Sequence, residues 1–441
     1  MLVLAAGPGG AAASPAAAAP AREFAPRQLL VKFEGQRLAR ALPLPRETAV
    51  RQAARVLRQN PRVAYAEPNY IATASALNRP PFDPDDSGSI EATAASAGES
   101  GRWTYKQWNF LAPEGSETPA LPISPGGIDA PAAWRNLIEA GRPGGAGIVV
   151  AVLDSGIAYR SYGSEYLRSP DFGPGQFVPG FDFVGHDRLP LDQNGHGTHV
   201  AGTIAEKTGN GFGLTGLAYG AKLMPVRVLD RQGRGNALAI ARGIRFAVAH
   251  GADVINMSFN FPCGKRVPVV DEALQEAYLA GVVTVASGGN LGSEGCVSEP
   301  ATAPRVIGVG GTTEGGCLGS YSLAGGAIDL VAPGGGFPRA GCPSVSSRPI
   351  YQVTLRPGST SEFAIPATYV GTSMAAAHVS GAAALLLASK AINPKLEARL
   401  RVDQVTRRLR QTARDLGLPA PQQGAGLLDV GRATQSVKRA P

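Results

Sequence analysis

The chain has 441 residues, 44% hydrophobic and 17% charged, with 57 Gly, 36 Pro and only 6% aromatics. That balance excludes a disordered or fibrous chain and points to two or three globular domains rich in small residues and tight turns. The formal net charge is +8, with much of the excess late in the chain at Lys390, Lys395, Arg399, Arg401, Arg407, Arg408 and Arg410. No aromatic residues interleave with that run, so it reads as a solvated helix face, and no nucleic-acid partner is expected.

In chain order, Met1–Ala21 is apolar and Ala-rich and ends in small residues, Ala16 to Ala19. Residues 1–24 read as the remnant of a secretion signal. A basic start is missing, and Pro8, Gly9 and Gly10 interrupt the run, so a disordered Ala/Pro tail is the alternative. No other run approaches the ~18 apolar residues of a membrane-spanning helix. Leu29–Phe33 is a predicted strand. Glu47–Gln59 carries Ala49, Val50, Ala53, Val56 and Leu57 at helical spacing. Val63–Ala66 is a second strand, closed by Glu67-Pro68-Asn69-Tyr70. Residues 25–72 thus form a small α+β unit that buries little by itself. Residues 73–102 have the Pro, Ser, Gly, Ala and Asp content of a linker, which suits proteolytic cutting.

From Trp103 the pattern changes. Ile148–Leu153 is an unbroken apolar run, and others follow at 223–229, 254–257, 282–286, 306–309 and 328–331. Such runs mark parallel strands covered on both faces. Helical stretches such as Asn236–His250 and Val269–Ala280 lie between several of them. The fold class is therefore α/β, a parallel central sheet with helices on both faces, over 103–436, with a short tail at 437–441. The 4 cysteines are Cys263, Cys296, Cys317 and Cys342, with no C-x-x-C pair. An even, clustered count suits two disulfides in an oxidising compartment. Of three possible pairings, Cys263–Cys296 and Cys317–Cys342 is favoured as nearest-neighbour.

In parallel sheets, function gathers at the carboxyl ends of strands. The strand ending at Leu153 delivers Asp154 there. Asn194-Gly195-His196-Gly197-Thr198-His199 follows, with glycines that let the backbone crowd round His196. Last comes Gly371-Thr372-Ser373-Met374-Ala375, where Ser373 begins a small-residue helix. A helix start offers free N–H groups and partial positive charge to a developing oxyanion. His196 and His199 have the spacing of a metal pair, but the glutamate of an H-E-x-x-H motif is missing. His199 and His378 read as core or supporting groups.

These three segments resemble the subtilisin-like serine proteases, or subtilases, in the order Asp, His, Ser. The resemblance covers about Trp103 to Gln435. It implies a serine endopeptidase in which Ser373 attacks, His196 takes its proton and Asp154 orients the imidazole. It also implies Asn290 as an oxyanion-hole donor beside the Ser373 N–H. Polypeptide substrates would pair with Ser258, Phe259 and Asn260 on one side and with Gly233, Arg234 and Gly235 on the other. The family usually has glycine where Asn260 and Phe261 stand. The pocket for P1, the residue before the cut bond, would be walled by Ser258, Ser287, Gly288 and Gly289. Small neutral walls favour a bulky apolar P1; Glu294 or Glu299 would instead recruit a basic one, as in a processing protease.

The family needs no catalytic cofactor but often holds structural calcium. The matching pieces here are Asp171, Thr208, Asn210, Phe212 and Leu214, with Gln107 from near the domain's start. Residues 28–70, Val63–Ile71 above all, resemble the family's inhibitory propeptide in shortened form. The resemblance thus implies a secreted, monomeric, self-processing zymogen whose propeptide is an intramolecular inhibitor. A non-catalytic peptide-binding protein using the same cleft is the rival from another class.

Overall fold

The computed structural model describes residues 24–45, 49–74, 103–113, 121–209, 212–292 and 295–436. Residues 1–23 of the expected signal, 75–102 of the expected linker and the 437–441 tail lie outside them.

The N-terminal unit is built on β1 (Phe24–Phe33), β2 (Arg40–Pro43), α1 (Val50–Leu57) and β3 (Val63–Ala74). β1 lies between β2 and β3, antiparallel to both. Alternation along β1 sorts its side chains. Leu29 and Val31 join Val50, Ala54, Val63 and Ala66 in a small separate core, while Leu30 points the other way into the larger domain. β2 was not anticipated, being too short and polar to show a pattern. β3 runs two residues past the expected boundary at 72.

The larger domain follows as β4 (Val149–Asp154), β5 (Phe181–Asp182), α2 (His196–Ala205), β6 (Lys222–Arg227), β7 (Arg234–Asn236) and α3 (Ala237–Ala249). It continues through β8 (Val254–Met257), β9 (Phe259–Asn260), α4 (Pro268–Leu279), β10 (Val283–Ser287), β11 (Val306–Thr312) and β12 (Leu330–Pro333). α5 (Thr372–Ala388) and α6 (Ala398–Thr412) come late. Seven strands form a parallel sheet in the order β12-β11-β10-β8-β4-β6-β5. The apolar runs are explained by two cores. Val150 and Val152 of β4 face the core of α2, α5 and α6, while Ala151 and Leu153 face that of α3 and α4. On α6, Val402, Val405 and Leu409 are buried and Arg399, Arg407 and Arg410 are exposed, so the basic run is a solvated face.

From β4 the chain proceeds to β5 and β6 on one side and to β8, β10, β11 and β12 on the other. Such a reversal leaves a crevice beyond the carboxyl end of the strand. Asp154 is the last residue of β4. The disulfides pair as favoured, Cys263–Cys296 and Cys317–Cys342, with Cα atoms 5.6 and 6.1 Å apart. The first ties the segment after β9 to the segment after β10.

The N-terminal unit docks on α3 and α4. Lys32 pairs with Glu272 at 2.8 Å. Asn69 Oδ1 accepts the Leu238 N–H in the first turn of α3. Glu67 lies at the start of α4, where the Val269 amide points at it, and is buried. A second carboxylate, Glu299, shares that helix start and accepts the Val267 N–H at 2.7 Å. Burial first, then the Glu299 charge, push the Glu67 pKa up to about 8; Asp271 adds to this, while Arg58 and the Val269 amide oppose it. Burial and Asp271 raise Glu299 to about 7, against the Val267 amide and Arg266.

Docking therefore takes up a proton on Glu67 between its ordinary value of 4.5 and about 8. The contribution is fully present below the undocked value and is lost as pH rises through the docked one. The N-terminal unit should loosen by about tenfold or more between pH 5 and pH 8. Glu67→Gln should remove most of that dependence. Hydrogen exchange of β1 and β3, corrected for intrinsic rates, measures it; an unchanged pH slope in the variant would refute this account.

Candidate active site

Asp154 and His196 are both buried. His196 Nδ1 faces Asp154 Oδ1 at 2.8 Å, and the same oxygen accepts the Ser155 N–H at 2.7 Å. With a carboxylate as acceptor, Nδ1 carries the proton and Nε2 is left as the basic nitrogen. That Nε2 is buried and makes no hydrogen bond. The close approach depends on Gly197. A Cβ there would lie 2.1 Å from the Gly156 carbonyl oxygen and 3.1 Å from the Asp154 Cβ, so no other residue lets α2 begin so near the end of β4.

Sequence reasoning missed a second acid. Asp192 is buried and accepts from the Ser155 and Thr198 hydroxyls at 2.9 and 2.6 Å and from the Asn194 and Gly195 amides. It ties the turn before α2 to the turn after β4. Its place four residues before His196 was the available signal. Burial raises its pKa, and those hydrogen bonds oppose the rise. On His196 burial acts downward, but the Asp154 charge and hydrogen bond, with Asp192 further off, outweigh it and raise the pKa above the ordinary value.

Ser373 is the second residue of α5 and is fully buried. Its hydroxyl donates to the Ser258 carbonyl oxygen at 3.1 Å. Ser258 is held by a buried chain: its hydroxyl donates to the Ser373 carbonyl, Asn256 Nδ2 donates to that hydroxyl, and Ser380 Oγ donates to Asn256 Oδ1. Asn290 Oδ1 accepts from the Thr372 N–H and hydroxyl, each at 2.9 Å. Asn290 Nδ2 is buried with no acceptor. A spare amide donor thus stands one residue from Ser373, whose own N–H lies in the unbonded first turn of a helix.

β8 and β10 pair as far as Met257 and Ala286 and then part. Ser258–Asn260 form one wall of the resulting slot and Ser287–Gly289 the other. The carboxyl-terminal part of β3 runs antiparallel between β7 and β9. Ile71, Ala72 and Thr73 pair with Asn236, Gly235 and Arg234; Thr73 and Ala74 pair with Asn260 and Phe259. Gly233, just before β7, has φ 70° and makes the turn that presents it. Glu299 is spent at the start of α4 and does not serve the slot; Glu294 lies outside the described residues.

His199 and His378 are core groups. His199 stacks on Tyr369 with ring centroids 4.0 Å apart and bonds the Ile350 carbonyl. His378 bonds the Met374 carbonyl and Asn109. Burial lowers their pKa values to about 3 and about 4, so both stay neutral.

Of the residues expected at calcium, Asn210 lies outside the described set. Asp171 is buried and accepts the Leu214 N–H at 2.7 Å. Gln107 Oε1 accepts the Thr215 N–H, and Thr208 Oγ1 bonds Thr215 Oγ1, so both oxygens are engaged within the protein. Phe212 precedes Leu214 on the same loop. Sequence reasoning missed Glu206, which caps the end of α2. It is fully buried beside Asp171; neither carboxylate oxygen has a hydrogen bond, although the Val353 amide points toward it. The buried oxygens of Gln352 (Oε1) and Ser169 (Oγ) are also without partners. Burial, then the Asp171 charge, push the Glu206 pKa well up. Among the described residues no group of three or more His, Cys, Asp or Glu forms a metal cluster.

The model of the subtilase family matches residues 145–427, and the chain belongs to that family. It is 32% identical over 363 residues to a thermophilic serine proteinase of Bacillus sp. strain AK1, covering 82% of this chain and 72% of that one. To subtilisin DY of Bacillus licheniformis it is 36% identical over 294 residues, covering 66% and 92%. A solved protease structure from Pseudoalteromonas arctica PAMC 21717 aligns with TM-score 0.58 and 30% identity, covering 70% of this chain and 94% of that one. The protein is a subtilisin-like serine endopeptidase.

In a Ser373→Ala chain, NMR titration should find His196 protonating above the ordinary histidine value of 6.5. Asp154→Asn should drop it below that value, because burial is then opposed only by the more distant Asp192 charge. A His196 signal indifferent to Asp154→Asn would contradict the pairing.

Proposed function

We propose that Asp154, His196 and Ser373 are the catalytic triad of a secreted, self-processing zymogen. The observation that carries this reading is the buried Asp154–His196 hydrogen bond on the rim where Ser373 begins α5. His196 Nε2 takes the Ser373 proton as Oγ attacks, and Asp154 holds the imidazolium that forms. For attack, the hydroxyl turns from the Ser258 carbonyl to Nε2. A chain paired opposite Ser258 offers its own N–H to that carbonyl and so competes with the hydroxyl for it. The Ser373 N–H and Asn290 Nδ2 then receive the oxyanion. The leaving amine takes the proton from His196, and water repeats the sequence on the acyl-enzyme.

Residues 24–74 serve as the propeptide, their last strand laid along the cleft as a substrate would be. That strand is described to Ala74, opposite Phe259 and one residue from Ser258. The residue opposite Ser258 is then Ser75, and the bond cut should be the one between Ser75 and Ala76. The disulfides and the apolar N-terminus favour an extracellular site.

A structural calcium ion fits the buried carboxyl groups of Asp171 and Glu206, whose like charges lie side by side away from water. Oxygens of Gln352 and of the 208–214 loop would complete the oxygen set. Calcium should raise the thermal midpoint by about 5 °C at saturating concentration, and Glu206→Gln should abolish most of that shift. Differential scanning calorimetry with calcium or chelator reads it; a full calcium shift in the variant would remove Glu206 from the site.

Expressed alone, Ser373→Ala should remain an uncut precursor, whereas the unmodified chain should yield a mature protein beginning at Ala76. Gel analysis, N-terminal sequencing and fluorophosphonate labelling of Ser373 test this together. Clean processing of the Ser373→Ala chain, or no labelling of the unmodified one, would defeat the proposal.

A further inference from the structure

The slot beside Ser373 is crossed by a side chain. Asn260 Nδ2 donates to the Ser287 carbonyl oxygen at 2.6 Å, and Ser287 Oγ donates to Asn260 Oδ1 at 3.3 Å. Two bonds of opposite sense fix which end of the carboxamide points where. Both anchors belong to the far wall, and Ser287 is fully buried there. A methyl group built on Gly289, in that same wall, would sit 3.7 Å from Asn260 Oδ1, so the carboxamide also lies against the glycine backbone. The near wall starts at Ser258, whose carbonyl oxygen is 3.1 Å from the Ser373 hydroxyl. A glycine at 260, usual in the family, would leave this gap open.

We propose that Asn260 is a crossbar in the P1 slot and restricts cleavage to bonds following glycine, alanine or serine. The inference rests on the peptidase reading above and reverses the bulky P1 that small, neutral walls suggest. A side chain longer than serine's would have to displace the carboxamide and break both bonds. Rejection by unpaired buried polar groups is stronger than rejection by a mere change in apolar fit. The chain's own sequence agrees: the residues that follow Ala74 are Ser75 and Ala76, both small. A self-processing enzyme must accept the P1 residue that its own precursor supplies.

The test uses processed enzyme, its active sites counted by fluorophosphonate labelling, and one peptide p-nitroanilide sequence varied at P1 through Ala, Ser, Leu, Phe and Lys. The unmodified enzyme should cleave the Ala and Ser peptides with kcat/KM on the order of a hundredfold above Phe. Asn260→Gly should raise the Phe-to-Ala ratio at least tenfold. Asn260→Asp keeps the size but loses the donor to the Ser287 carbonyl, and should raise that ratio by less. Labelled enzyme that cleaves Phe as well as Ala, or an unchanged ratio in Asn260→Gly, would overturn the crossbar alone. Absence of both labelling and cleavage would overturn the crossbar together with the peptidase reading.

Discussion

The site depends on keeping one carboxylate charged while it is wholly removed from water. A buried, uncompensated charge is too costly to retain, so Asp154 must be given partners. The fold supplies two on one oxygen, the His196 ring and the Ser155 amide. Several features serve that pairing. The strand order reverses at β4, so its end opens into a crevice. Gly197 lets α2 start against Asp154. Asp192 fastens the turns on either side. The pairing has a chemical consequence: the Asp154 charge raises the basicity of His196, whose Nε2 is left without a hydrogen bond.

Much of this was legible in sequence because the signals are local. The strands of the parallel sheet announce themselves as apolar runs, since both faces are covered. The three motifs are short segments in which a strand end or helix start presents one side chain. What was not legible arises where distant segments meet. Glu206 looks like an ordinary helix-terminal acid until the fold buries it beside Asp171, 35 residues earlier in number. Glu67 and Glu299 belong to different units, and only docking brings two acids to one helix start. Asn260 was visible as a departure from glycine, but its consequence required the Ser287 carbonyl, which the sequence places on another strand. β2 escaped because four residues edged by Arg and Pro carry no period.

β7 and β9 present backbone edges on either side of a gap, which is what an extended chain needs for recognition without regard to sequence. The carboxyl-terminal part of β3 lies in that gap and pairs with both. Backbone pairing alone would hold any chain, so selectivity and release have to come from side chains. Selectivity falls to whatever occupies the slot between the walls, where Asn260 and Ser287 meet. The Cys263–Cys296 bridge joins the segments behind those two walls and limits how far they can part.

Release has a different origin. Glu67 lies on β3, whose carboxyl-terminal part pairs with β7 and β9, so anything loosening Glu67 from α4 slackens that part as well. Glu67 is stable there as a neutral acid, because burial and then the neighbouring Glu299 both disfavour its charge. Raising the pH ionises both, and the N-terminus of one helix cannot stabilise two adjacent buried negative charges. Arg58 and Arg266 oppose the rise without cancelling it; Arg58 belongs to the departing unit and Arg266 is mostly exposed. Low pH would therefore favour the docked N-terminal unit, and neutral or alkaline pH would favour its release. The burial that gives His196 its partner and the burial that makes Glu67 a poor anion are the same physical effect, resolved by pairing in one place and left unresolved in the other.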